Sequence, residues 1–213
     1  MEVLIVGAGG HGQVVADALW RAWERDGAVR PLGYVDDDPS LCGRQLVDIP
    51  VLGPLADLTG IPHDGIVVAI GDNRIRRRVF DELAQRGEHF IVAKHPSAIV
   101  APDVRIGRGS VLFAGVIVNV GSVIGDNVIL NTGSSVDHHS RIGNHAHVAP
   151  GVRMGGAVTV EEGVLIGVAA SVLPGSTIGA WSVVGGGACV AQSVAPGVTV
   201  VGVPAREAPR DSR

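Results

Sequence analysis

Between Val100 and Val190 an aliphatic residue stands at every sixth position, from Val100, Ile106 and Leu112 through Val136, Ile142 and Val148 to Val184 and Val190. The fourth residue after each is only Ser, Ala or Val, as at Ser110, Val116, Ser122 and Ala146. A helix needs an apolar stripe of period 3.6, which six does not fit, whereas six residues make one short strand and a corner. Three such units close a triangle. The run therefore predicts a stack of about five eighteen-residue coils whose strands pair in parallel. The aliphatic and small positions fill a narrow prism, leaving corners and outer faces for function. The residue after the aliphatic is Gly, Asn or Asp in ten of the sixteen units, which marks it as a corner residue that takes positive φ or bonds its own backbone.

Ahead of the repeat the pattern is that of a small α/β unit. Val3-Leu4-Ile5-Val6 reads as a buried parallel strand, followed by Gly7-Ala8-Gly9-Gly10-His11-Gly12 and a helix from Gln13 to about Arg25. Tyr34-Val35 is a second strand ending at Asp36-Asp37, and Ile66 to Ile70 a third ending at Gly71-Asp72-Asn73. A helix from Arg74 to Arg86 follows, with Asp72 or Asn73 as its cap, and Phe90 to Ala93 reads as a fourth strand. The chain thus divides into an α/β unit over 1–95, a β-helix over 96–191 and a C-terminal loop and tail over 192–213. The period fails at Gln192 to Gly197, and the charged end from Arg206 to Arg213 is expected to fray.

Composition agrees with a narrow core. Among 213 residues, hydrophobic content is 46% but aromatics only 3%, with 31 glycines. A net charge of −4 gives no reason to expect nucleic acid or an anionic membrane. Cys42 and Cys189 are neither a disulfide framework nor a metal quartet, and read as small buried residues. The apolar run after Met1-Glu2 is too short for a signal peptide, and no stretch is long enough to span a membrane, so a soluble cytoplasmic protein is expected.

Two stretches carry candidate chemistry. Gly7, Gly9 and Gly12 between a strand and a helix let the backbone approach an anion at the helix N-terminus, with carboxylates at Asp36 and Asp37 placed for a ribose. The unit is too short for a whole dinucleotide fold. Arg74, Arg76, Arg77 and Arg78 form a basic cluster, read mostly as a solvated face. Four of the eight histidines crowd together as His138, His139, His145 and His147. In the period-six frame His138 and His147 point out of the prism, and imidazole is suited to move protons at neutral pH.

The period-six run is similar to the hexapeptide repeat of left-handed parallel β-helix proteins, most of which are acyltransferases. The handedness is what that resemblance implies, since chain geometry alone favours right-handed crossovers. Gly9-Gly10-His11 with Asp36-Asp37 and Ala69-Ile70-Gly71-Asp72-Asn73 resembles the nucleotide-amino-sugar acetyltransferases: the bacillosamine-pathway UDP-4-amino-sugar enzymes, the GDP-perosamine enzymes and the sialic acid O-acetyltransferases. The resemblance implies a nucleotide-linked amino sugar held by Gly9, Gly10, His11, Asp36, Asp37, Gly71 and Asn131, with acetyl-CoA as co-substrate and no metal. It maps His138 onto the general base and His147 onto a contact near the thioester. Gly156, Val168 and Gly186 then approach acetyl-CoA, a backbone N–H near Gly156 stabilises the oxyanion, and Arg206 lies near the CoA phosphates. His145 receives no role and is expected to face solvent. The family's carboxylate after the base is here His139, so either Asp137 or His139 orients the ring. With no nucleophilic Cys or Ser beside His138, transfer is direct. A homotrimer with CoA between adjacent β-helices, and a place in surface-glycan synthesis, are also implied.

Three other readings stand beside this one. Sugar O-acetylation needs a base equally. A metal enzyme resembling γ-type carbonic anhydrases needs histidines from separate coils, but the positions equivalent to His138 are Val120 and Gly156. A non-catalytic nucleotide-sugar-binding protein would leave the histidines without a task.

Overall fold

The computed structural model describes residues 1–208; residues 209–213, the end of the tail expected to fray, lie outside the described residues. The N-terminal sheet comprises β1 (Glu2–Val6), β2 (Arg30–Val35), β3 (Gln45–Leu46), β4 (Ile49–Gly53) and β5 (Gly65–Val68), ordered β3-β4-β2-β1-β5. All neighbours run parallel except the hairpin β3–β4. Successive residues of β1 point to opposite faces, and both faces are covered. Val3 and Ile5 pack with Val15 and Leu19 of α1 (Gly10–Asp26), while Leu4 and Val6 pack with Val79, Phe80 and Leu83 of α2 (Asn73–Gln85). Asp72 caps α2, accepting the N–H groups of Arg74 and Ile75. Cys42, expected to be buried, is exposed ahead of the hairpin.

The expected fourth strand divides. Phe90 makes a single bridge to Ile66, and β6 (Ala93–Lys94) already pairs with Val111–Leu112 of the repeat. From there the chain winds as a triangular prism. Face 1 runs from β6 through Ile129–Leu130 and His147–Val148 to Thr199–Val201. Face 2 runs from Ile99–Val100 to Cys189–Val190, and face 3 from Arg105–Ile106 to Thr177–Ile178. Strands pair in parallel with their equivalents one coil away, as Ile117 with Ser135 and Val123 with Arg141. The winding outlasts the period. Val194 bridges Ile178, and Thr199–Val201 pairs with Val183–Val184 to close a shortened last coil. Arg206–Glu207, expected to fray, is a strand antiparallel to Val200–Val201.

The aliphatic positions form the prism core together with the small ones. Several of the serines there are satisfied, as where Ser122 Oγ donates to the Asp137 carbonyl and accepts the Ser140 N–H, whereas the buried Ser134 hydroxyl has no partner among the described residues. The corner reading is half right. Asn131 and Asp137, just after the aliphatic, do bond their own backbone, receiving the N–H groups of Thr132 and His138. Positive φ belongs two residues further on. Every such position from Gly109 to Gly187 is left-handed, including Asn127, His139, His145, Ala157, Ala169 and Trp181. Glycine just after the aliphatic serves close approach instead: a Cβ on Gly143 would sit 2.7 Å from the Glu161 carbonyl carbon.

The α/β unit docks on face 1. Val111, Phe113 and Ile129 share a core cluster with Val3, Ile5 and Leu19. No helix among the described residues is long and apolar enough to cross a membrane.

Candidate active site

The glycine turn is shaped by contact on one side and open on the other. A Cβ on Gly12 would lie 2.0 Å from the Gly7 carbonyl oxygen, so helix α1 can close on β1 only without a side chain there. Gly9 and Gly10 face open space, and Gly9 caps α1 without any side-chain bond, leaving the first N–H groups of the helix directed outward. Asp36 ties this turn down: its oxygens accept the N–H groups of Ala8 at 2.7 Å and Asp38 at 2.9 Å. Asp37 accepts the Leu55 N–H at 2.8 Å. Asp36 thus holds the glycine turn in place. A cavity of about 210 Å3 opens here, lined by Gly7, Asp36, Asp37, Ile70, Ile75 and Arg78.

Behind the turn the sequence candidates regroup. His11 packs edge-on against Phe113 with ring centroids 5.2 Å apart, and lies 6.1 Å from the ring of His147. Asn131 Oδ1 accepts the Thr132 N–H, which fixes its amide so that Nδ2 donates to His147 Nε2 at 3.2 Å. His147 therefore points out of the prism, as expected, but into the α/β unit. It joins the expected sugar-site residues His11, Asn131 and Gly71 instead of His138, the proposed base beside the thioester. Burial pulls both His11 and His147 down to about 4, helped for His11 by His147 and for both by the Arg76 charge. Both rings are neutral at pH 7, fit for hydrogen bonding and not for proton uptake.

Two expectations of exposure fail here. Arg76, read within a solvated basic face, is fully buried. Its guanidinium donates to the carbonyls of Asn127, Ile70 and His145 and to Asn73 Oδ1, clamping α2 to the corner between faces 3 and 1. Burial lowers it to about 9, with Asp72 opposing, so the charge persists. His145, expected in solvent, is buried at that corner, where Asn127 Nδ2 approaches its Nδ1 at 2.9 Å and Phe80 packs edge-on. Asn73 extends the clamp, donating to the carbonyls of Gly163 and Val164. These docking residues left no periodic signal, since each acts across the two units.

His138 and His139 stand exposed at the corner between faces 2 and 3. The ring of His138 lies over Gly156, one coil on, where a Cβ would meet Cε1 at 2.4 Å and Nε2 at 2.5 Å. The Gly156 N–H donates to no backbone or side-chain acceptor among the described residues. Asp137 does not hold the His138 ring. Its Oδ1 accepts Asn119 Nδ2 and the His138 N–H, each at 2.7 Å, and these bonds keep its carboxyl below the usual range. His138 Nδ1 instead meets His139 Nδ1 at 3.0 Å. Val168, 57% exposed, and Gly186 stack on the corner between faces 1 and 2, the latter's Cβ position 3.3 Å from the Val168 carbonyl oxygen. Arg206 is exposed near the end of face 1. Among the described residues no three His, Cys, Asp or Glu side chains are grouped to hold a metal ion.

The prism sets these groups apart. The glycine turn and His147 lie on face 1, whereas His138 occupies the corner opposite that face. Within one chain they do not converge on one small molecule.

Comparison with known proteins gives this arrangement a context. The family described as the PglD N-terminal domain matches residues 2–83, and the bacterial transferase hexapeptide (six repeats) matches residues 121–156. A UDP-N-acetylbacillosamine N-acetyltransferase of Bacillus subtilis (strain 168) is 35% identical over 115 residues, 53% of this chain and 51% of the relative, so the match spans about half of either protein. Among solved structures, the acetyltransferase domain of PglB from Neisseria gonorrhoeae FA1090 in complex with acetyl coenzyme A has a TM-score of 0.89 at 35% identity, covering 97% of this chain and 98% of that one. PerB from Caulobacter crescentus in complex with CoA and GDP-perosamine has a TM-score of 0.89 at 38% identity, covering 98% of this chain and 97% of that one.

Proposed function

Because the chain belongs to the hexapeptide-repeat, left-handed β-helix family of nucleotide-amino-sugar N-acetyltransferases, we propose that it transfers the acetyl group of acetyl-CoA to the amine of a nucleotide-linked amino sugar, at C4 of the sugar, with His138 as general base. The observation that carries this reading is the exposed His138 imidazole lying over Gly156. A reacting carbonyl beside that ring would have a base and an uncommitted backbone N–H on hand. The amine attacks the thioester carbon while His138 Nε2 takes its proton. The Gly156 N–H stabilises the oxyanion, and the intermediate collapses with departure of the CoA thiolate, which receives the proton. The nucleotide rests on the glycine turn, its phosphates at the N-terminus of α1.

The separation of turn and base implies that two copies complete each site. The corner carrying His138 in one copy meets the His11–Asn131–His147 side of the next, with CoA along Val168 and Gly186, in a closed homotrimer. The test is thiol release from acetyl-CoA with a panel of UDP-, GDP- and dTDP-linked 4-amino sugars. His138→Asn is expected to lower kcat/KM by about 10²–10⁴-fold. Near-normal turnover by that variant would show that another group is the base.

A further inference from the structure

We infer that His139 is the positioning residue of the catalytic corner, forming with His138 an imidazole dyad that fixes the ring and the tautomer of the base. This rests on the reading of His138 as the base and adds to it a partner that the order of residues left open. The ring nitrogens meet Nδ1 to Nδ1 at 3.0 Å, with the rings edge-on at 78° and centroids 5.2 Å apart. Two nitrogens at that distance share one proton, so one ring donates and the other accepts. For His138 Nε2 to be free to take a proton, its Nδ1 must carry the hydrogen and donate it to His139. His139 then carries its own hydrogen on Nε2. The geometry gives this a direction, since the Nε2–Cε1 edge of His138 is the edge that faces Gly156.

Among the described residues no other side chain is hydrogen-bonded to the His138 ring. Asp137 Oδ1 is committed to Asn119 and to the His138 N–H. Among the described residues the His139 side chain makes no hydrogen bond besides the one to His138. Its backbone needs nothing from the imidazole either: its N–H donates to the Val120 carbonyl just as the Ala157 N–H, one coil on, donates to that of His138. The position is left-handed, φ 57°, like the equivalent corners Gly121, Ala157 and Gly175 of the same ladder. Gly121 makes room for the ring; a Cβ on it would lie 2.7 Å from His139 Cδ2. As the amine nitrogen bonds to the thioester carbon, its proton passes to His138 Nε2, and the imidazolium keeps its Nδ1–H on His139. When the C–S bond breaks, the Nε2 proton goes to sulfur and the dyad returns to its starting tautomers.

The left-handed slot supplies a control that separates positioning from folding. His139→Gly suits the backbone, so the purified enzyme is expected to keep its oligomer and to melt at or above the wild-type temperature. Its kcat should fall by about 10–100-fold, part of what a general base contributes, with KM for both substrates unchanged. His139→Asn should recover part of that loss, because Asn is accommodated at the same kind of slot at position 127 and its carbonyl can accept the Nδ1 hydrogen. Wild-type kcat in His139→Gly overturns the inference, as does His139→Asn no better than glycine. His138→Asn assayed in parallel keeps the two claims apart. Its retained activity would remove the base and the dyad together, whereas its inactivity beside a fully active His139→Gly would remove the dyad alone.

Discussion

His138 is exposed, yet its corner leaves the ring few directions to turn, since Gly156 lies against one edge and His139 against the other. Asp137 shapes this corner through its backbone and Asn119, so its charge is dispensable while its acceptor is not. Asp137→Asn should therefore keep most of the wild-type kcat in the thiol-release assay; a loss as deep as that of His138→Asn would make Asp137 the orienting group. The period-six ruler was enough to place His138 outside the core and Gly156 one coil beyond it. It could not place Arg76 or His145. A run of arginines reads as solvated by composition, and only the docking of α2 on the prism gives Arg76 the carbonyls that repay its burial. His145 fails likewise, because the wall that buries it, Phe80, comes from another unit.

Elements of the repeat were legible because one pattern recurs many times, while single events were not. The hairpin of β3 and β4 turns through Val47 and Asp48, both left-handed at φ 52° and 58°, and a β-branched Val at such a turn gives no signal for it. The corners divide two jobs that residue type alone merges. Gly143 is needed for close approach, so Gly143→Ala should destabilise by about 1–3 kcal/mol, the range for an overpacked site. Ala169 is left-handed at φ 57°, and Ala169→Gly should be neutral or stabilising by about 1 kcal/mol, the steric cost of Cβ in that region. Urea midpoints of the two variants check this pair, and the reverse order would refute the assignment of the two corner positions.

The whole molecule is held by an interface that keeps two histidines neutral. His11 and His147 sit at about 4 when folded, against an ordinary value of 6.5. Between those values the unfolded chain binds more protons, so stability is full above about pH 6.5 and is lost as the pH falls towards 4. Melting temperatures at pH 7 and 5 should show this loss, and His147→Gln, which cannot titrate, should show less of it; an undiminished loss would place the acid sensitivity elsewhere. The same docking puts the glycine turn on face 1 and His138, the proposed base, on the opposite corner, which makes a site shared between copies the central proposal. The direct measurement is thiol release by the proposed trimer, co-expressed from two variants that are each expected to be inactive. His138→Asn keeps the turn, and Gly9→Trp, whose side chain enters the open space of the turn, keeps the base. Every mixed closed ring then contains one interface with an intact turn against an intact base, and random mixing should restore roughly a quarter of wild-type activity. Mixed trimers no more active than either variant alone would contradict the shared site.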